Sequence, residues 1–178
     1  YTALMQENET SAAEMRLRHR NIFQKEHHAF HGEVLQYYGD GTLSIFKSAV
    51  EAVECAISMQ QQFSTGQTVP LRIGIHLGDI VYDNNDVYGD GVNIASRIES
   101  LGVPGSILIS DKLHYAIRNQ GSISTKSLGY FELKNINEPL EVYTIVMNGI
   151  KVPERSELKG KMKEIKKSVA VLPFINMS

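Results

Sequence analysis

The sequence lacks the features that would place it in a specialised class of protein. It has no tryptophan, one cysteine and only five prolines among 178 residues. No apolar run reaches the ~20 residues that a membrane-spanning helix needs, and no signal-peptide pattern is present. The single cysteine, Cys55, lies in a helical pattern, which indicates a structural thiol in a reducing compartment. We therefore expect a cytoplasmic domain that makes no membrane contact through this segment.

The charge of the chain is nearly balanced, which argues against two further classes of partner. Eighteen Lys and Arg residues against twenty Asp and Glu residues give a formal net charge of −2. Proteins that bind nucleic acid or anionic membranes usually carry a basic surface. We therefore expect no nucleic-acid partner.

The length suits one domain with a short appendage, because a domain of about 150 residues buries roughly 70% of its unfolded surface.

The most informative stretch begins with two predicted strands. The apolar run from Leu71 to Ile75 is typical of a buried strand, and Gly78 and Asp79 then permit a turn. Residues 80–82 form a second apolar run, and a polar loop is predicted over residues 83–86. Arg72 alternates with apolar neighbours in the first strand, so it needs a partner if it is buried.

A glycine-rich helix start follows at Gly89-Asp90-Gly91. Asn93 and Arg97 are four residues apart, so they project from one face of the predicted helix. An amide and a guanidinium behind such a start suit an anionic ligand.

The rest of the chain alternates between helical and extended patterns. Helices are predicted over residues 10–30, 47–63 and 112–118, and strands over residues 33–38, 42–46, 106–109, 127–134 and 140–146. We expect Leu17 to be buried in the first helix and Gln60 to be exposed in the second. Residues 1–147 then form one domain, residues 148–167 a charged linker, and residues 168–178 the start of a following domain.

Three separated motifs resemble the catalytic domain of class III nucleotidyl cyclases. They are YGDG at residues 38–41, RIGIH at residues 72–76 and D-x-YGDGVNIASR at residues 86–97. The resemblance extends over most of residues 1–146. It implies an α+β fold of the ferredoxin-like, palm-type kind, with a mixed or mostly antiparallel sheet and helices on one face.

The resemblance also implies a reaction and a set of site residues. The family converts a nucleoside triphosphate into the 3′,5′-cyclic monophosphate and pyrophosphate, with two Mg²⁺ or Mn²⁺ ions at each site of a two-fold homodimer. By resemblance, Asp40 binds metal and Arg72 contacts phosphate in one chain. The other chain contributes Asn93 to orient the ribose, Arg97 to stabilise the transition state and Lys134 to hold the β- and γ-phosphates.

Base selection is where the sequence departs from the family pattern. Adenylyl cyclases of the family pair a lysine with an aspartate around adenine, and here Asp86 is present but Gln36 stands at the lysine position. Asp86 can accept a hydrogen bond from the adenine amine and would repel the guanine oxygen. Gln36 can donate to adenine N1, or flip and accept from guanine N1–H. ATP is therefore the expected substrate, with guanylyl cyclase as an alternative.

The resemblance places the first strand of the family, with its first metal-binding aspartate, before Tyr1. We therefore expect residues 1–178 alone to have little activity. A further alternative is a catalytically silent cyclase-like domain that dimerises or regulates an attached domain. The retained polar residues favour the enzyme over this alternative; they are Asp40, Arg72, Asn93, Arg97 and Lys134.

Overall fold

The computed structural model describes residues 9–38, 41–65, 69–83 and 86–163. Its helices are α1 (Glu9–Ala29), α2 (Ala49–Ser64), α3 (Asp90–Leu101) and α4 (Asp111–Ile117), with a 3₁₀ turn at Arg155–Glu157. Its strands are β1 (Glu33–Tyr38), β2 (Gly41–Ile45), β3 (Ile73–Ile75), β4 (Val81–Asp83), β5 (Asp86–Tyr88), β6 (Ile107–Ser110), β7 (Ser124–Glu132), β8 (Leu140–Val146) and β9 (Lys161–Lys163).

The central sheet is mixed, as the sequence predicts. Its five strands lie in the order β3-β6-β8-β7-β9. The β3–β6 pair is parallel, whereas the β6–β8, β7–β8 and β7–β9 pairs are antiparallel. Two hairpins, β1–β2 and β4–β5, form separate two-stranded sheets. The α+β class is therefore confirmed.

Helices cover both faces of the central sheet, so the prediction that they lie on one face is wrong. Successive residues of a strand point to opposite faces. In β6, Ile107 and Ile109 pack in one cluster with α2 and α4. Leu108 packs in another cluster with Ile98 and Leu101 of α3. Fully buried β6 is thus apolar at consecutive positions because both of its faces are covered.

Helix α1 packs on α2 through a separate apolar cluster that includes Phe23 and Phe63. Two predictions for these helices are wrong. Leu17 is 61% exposed, whereas Gln60 is only 3% exposed. The Gln60 amide donates to the carbonyls of Leu71 at 2.9 Å and Ser106 at 3.1 Å. These two hydrogen bonds satisfy the buried amide group of Gln60. They also tie α2 to the chain flanking β3 and β6.

Two short strands extend the structure beyond the predicted elements. The stretch predicted as a polar loop includes the ends of hairpin β4–β5, in which Asp83 pairs with Asp86. The stretch predicted as a charged linker, residues 148–167, includes β9, which pairs antiparallel with β7. A strand at the edge of a sheet can be polar. The charged side chains of β9 therefore form no apolar pattern from which a strand could be predicted.

Helix α3 lies very close to β3 because Gly74 has no side chain. A Cβ atom built on Gly74 would lie 2.7 Å from the Ala95 carbonyl oxygen and 2.7 Å from Glu99 Cα, and closer still to the Glu99 amide nitrogen. These are backbone atoms that cannot rotate away. The glycine therefore sets the distance between the first predicted strand and the helix that carries Asn93 and Arg97.

We expect Gly74→Ala to push α3 away from the sheet. The cost is about 1–3 kcal/mol of unfolding free energy, typical of overpacking in a core. Urea unfolding followed by circular dichroism measures this loss. Gly121→Ala is the matched control, because a Cβ atom there meets nothing within 4 Å. Equal stability of the two variants would contradict the close approach.

Helix α1 is also joined to the hairpin by buried His27. Its Nδ1–H donates to the Phe23 carbonyl at 2.8 Å, and its Nε2 accepts from the Ser44 hydroxyl at 2.7 Å. Burial lowers the pKa of His27 below its ordinary value, against the opposing effects of the Phe23 carbonyl and the Glu26 charge. The folded protein therefore holds this imidazole neutral.

We expect acid to destabilise the protein partly through His27. Below about pH 6.5 the unfolded chain binds a proton at this residue that the folded chain does not, so the free energy of unfolding falls as the pH falls toward the folded pKa. In His27→Gln the loss of stability between about pH 7.5 and about pH 5.5 should be smaller. His28→Gln, at an exposed neighbouring position, should keep the wild-type dependence. Identical pH profiles for His27→Gln and wild type would refute this origin.

Candidate functional site

A cavity of about 530 Å³ lies between hairpin β1–β2 and strand β3. Helix α2 contributes an apolar floor, and helix α3 contributes polar side chains. The polar residues that line it include Arg72, Asn93, Ser96 and Glu99. The cavity therefore combines an apolar body with a few polar groups, as small-molecule sites commonly do.

Two strand edges face this cavity. Among the described residues, β2 pairs only with β1, and β3 pairs only with β6. Leu43 of β2 and Ile75 of β3 both line the space between them. The hairpin carrying the YGDG motif is thus held next to the RIGIH strand without being hydrogen bonded to it in one sheet.

Arg72 forms an ion pair with Glu99 at the cavity. The Arg72 Nε–H donates to Glu99 Oε1 at 2.8 Å, with the two side chains 37% and 34% exposed. The sequence indicated that Arg72 needs a partner but did not identify Glu99. The available signal was a carboxylate on the helix that follows the arginine strand, six residues after Asn93. Ser96, another exposed residue of α3, was also missed.

The glycines at the start of α3 have two structural reasons. Gly89 adopts φ = +138°, a conformation that favours glycine. A Cβ atom on Gly91 would lie 2.8 Å from the Asp79 carbonyl oxygen. The glycine-rich motif therefore lets the start of α3 contact the turn after β3 directly. This contact positions Asn93, which lies one turn further along the helix.

The predicted site residues of α3 do not share one environment. Asn93 is exposed and lines the cavity with Arg72. Arg97 is half-buried and does not line that cavity. Lys134 is exposed, just after β7, and is not a cavity residue either. Within the described part of the chain, neither Arg97 nor Lys134 forms an ion pair. The structure therefore brings together only Arg72 and Asn93 of this set.

The residues predicted to select the base lie on the two hairpins. Gln36 is half-buried in β1 opposite Leu43, and Asp86 begins β5. Asp40 lies outside the described residues. Within the described ranges, no group of three or more His, Cys, Asp or Glu side chains is arranged to hold a metal ion. Metal binding through Asp40 stays a prediction.

His76 follows β3, and its side chain is hydrogen bonded within the fold. Its Nδ1 is 2.9 Å from the Ser110 hydroxyl. Burial, reinforced by the nearby Lys112 charge and opposed by Asp111, lowers the pKa of His76. His76 thus has a hydrogen-bonding partner within the fold. Among the described residues, none of the helices is both long and apolar enough to cross a membrane.

Comparison with known proteins gives the architecture a family. Residues 32–147 match the family described as the adenylate and guanylate cyclase catalytic domain. The whole chain aligns at 36% identity with the proposed adenylate cyclase 3 of Rhizobium meliloti (strain 1021), covering 32% of that relative. Against human guanylate cyclase soluble subunit beta-2, identity is 38% over 91 residues, which are 41% of this chain and 15% of that protein.

A solved structure agrees with the sequence comparisons. The adenylate/guanylate cyclase/hydrolase from Silicibacter pomeroyi superposes with a TM-score of 0.74 at 32% identity, covering 83% of this chain and 90% of that one. The chain spans about a third or less of the length of the curated relatives described above. With the fold, the motifs and the matched region in agreement, the chain belongs to the class III adenylyl and guanylyl cyclase catalytic domain family.

Proposed function

We propose that this domain converts ATP into 3′,5′-cyclic AMP and pyrophosphate. The observation that carries the proposal is the Arg72 guanidinium at the cavity, which among the described residues is bonded only through Nε, to Glu99. Membership of the family supports a nucleotidyl cyclase, and the relatives include proteins named for adenylate and for guanylate. The choice of ATP rests on the base-selecting residues.

In the proposed reaction the ribose 3′-hydroxyl attacks the α-phosphorus and pyrophosphate leaves. Arg72 binds phosphate oxygens, Asn93 orients the ribose and Arg97 stabilises the charge that develops in the transition state. Lys134 holds the β- and γ-phosphates. Two divalent cations, Mg²⁺ or Mn²⁺, one of them held through Asp40, would lower the pKa of the attacking hydroxyl and neutralise the leaving group.

We propose a two-fold homodimer in which each site draws on both chains. The separation of the residues supports this arrangement, because Arg97 and Lys134 do not line the cavity that holds Arg72. Two large apolar side chains near the start of α3 are exposed, Leu77 at 46% and Val81 at 49%. Such side chains are suited to contact with a second copy. Each homodimer then has two equivalent sites.

ATP is proposed over GTP because of Asp86. A carboxylate there accepts from the adenine amine, and an acceptor facing the guanine oxygen would be unfavourable. Gln36 weakens the discrimination, since its amide can present a donor or an acceptor. GTP use is therefore the alternative that Gln36 leaves open.

The test is cyclic nucleotide formation by the full-length protein with ATP and with GTP, in magnesium and in manganese. We expect ATP to be the better substrate. Arg97→Ala should lower kcat by about 10²–10³-fold, as loss of one transition-state donor does. Asp40→Ala should abolish turnover through loss of metal.

Arg118→Ala is the matched control for the arginine variant, because Arg118 is exposed and stacks on Tyr115. A tenfold preference for GTP would overturn the choice of substrate. No turnover of either nucleotide by a folded, dimeric protein would favour the silent regulatory alternative.

We also expect residues 1–178 alone to show little cyclase activity. The facing edges of β2 and β3 carry no further strand among the described residues. Of the two carboxylates that the family uses to bind metal, only Asp40 has a counterpart in this sequence. The assay is cyclic AMP formation by this fragment at equal concentration beside the full-length protein. Equal turnover by the two would show that the fragment holds a complete site.

A further inference from the structure

We propose that Glu99 is a positioning residue that aims the Arg72 guanidinium at the phosphates of the substrate. The proposal rests on the proposed nucleotidyl cyclase function and adds a residue to it. Glu99 does not need to touch the substrate in this role. It acts through the side chain of Arg72, whose direction it sets.

The geometry of the ion pair is the main argument. Glu99 Oε1 accepts from Nε of Arg72, at the inner side of the guanidinium. Within the described part of the chain, the two terminal Nη groups make no hydrogen bond. An arginine binds phosphate best through parallel N–H groups of this planar fork. Engagement at Nε therefore fixes the plane of the fork while leaving its two outer nitrogens available for an anion.

The carboxylate is itself held in place by backbone packing. Helix α3 approaches β3 so closely at Gly74 that the backbone of Glu99 lies against that glycine. Arg72 is two residues before Gly74, on the same face of the strand. The spacing Arg-x-Gly, which runs from just before β3 into that strand, thus brings Glu99 beside the arginine. The second carboxylate oxygen lies 3.4 Å from the Ser100 hydroxyl, which donates to the Ser96 carbonyl at 2.9 Å.

Exposure argues that the pair serves orientation more than stability. Both side chains are about a third exposed, so water screens their attraction. Ion pairs of this kind contribute little to folding. The same contact at the wall of a cavity still restricts the rotamers of a long arginine side chain, which lowers the entropy cost of binding an anion.

The experiment uses a double-mutant cycle in the full-length protein. Affinity for ATP and for inorganic pyrophosphate is measured by calorimetry, beside KM and kcat for cyclic AMP formation. We expect Glu99→Ala to weaken binding of both ligands about tenfold and to raise KM more than it lowers kcat. Glu99→Gln should recover most of the affinity, because its amide oxygen still accepts from Nε.

The Arg72→Ala background separates positioning from a structural role. There, Glu99→Ala should change affinity less than about twofold, because no guanidinium remains to be aimed. Glu132→Ala, at an exposed carboxylate on β7, is the charge-matched control. Urea unfolding confirms that each variant folds.

Two results would overturn the proposal. One is wild-type affinity in Glu99→Ala, and the other is an equal loss of affinity with and without Arg72. Failure of the proposed function gives a different result. A protein that binds ATP without turning it over has no cyclase activity, but its binding affinities still show whether Glu99 acts through Arg72. A wild-type protein that binds neither ATP nor pyrophosphate would remove the ligand and overturn both proposals.

Discussion

The contact of helix α3 with strand β3 at Gly74 is the constraint on which the candidate site depends. Without a side chain at Gly74, the helix backbone reaches the strand backbone and brings Glu99 to Arg72. The same helix begins on the turn after β3, where Gly91 meets the Asp79 carbonyl. These two close approaches fix both ends of the helix segment that carries Asn93. The glycines of these two motifs therefore position the helix that lines one side of the cavity.

Much of this architecture can be predicted from local sequence. Ser48 and Ser110 cap helices α2 and α4, each accepting from an amide three residues on, and apolar periodicity marks the interiors of both helices. The mixed sheet follows from the family resemblance, and the β1–β2 hairpin follows from strand patterns and turn residues. The motifs also locate Arg72 and Asn93, which do line one cavity.

The rest depends on contacts between distant parts of the chain. The sequence alone predicts that the polar side chain of Gln60 is exposed to solvent. Two carbonyl groups far along the chain nevertheless accept its hydrogen bonds. Helices on both faces of the sheet could not be foreseen, because the periodicity of α3 shows an apolar side without showing which face of the sheet it meets. Glu99 is missed for a similar reason, since its place on the helix after the arginine strand does not show which side chain it contacts.

The most direct test of this account is an experimental structure of the full-length protein with a non-hydrolysable ATP analogue. The account predicts both Nη groups of Arg72 within hydrogen-bonding distance of phosphate oxygens, with Nε still bonded to Glu99. It also predicts Asn93 and Arg97 of a second chain at the same nucleotide. A nucleotide bound elsewhere, or Arg72 released from Glu99 and away from the phosphates, would contradict it.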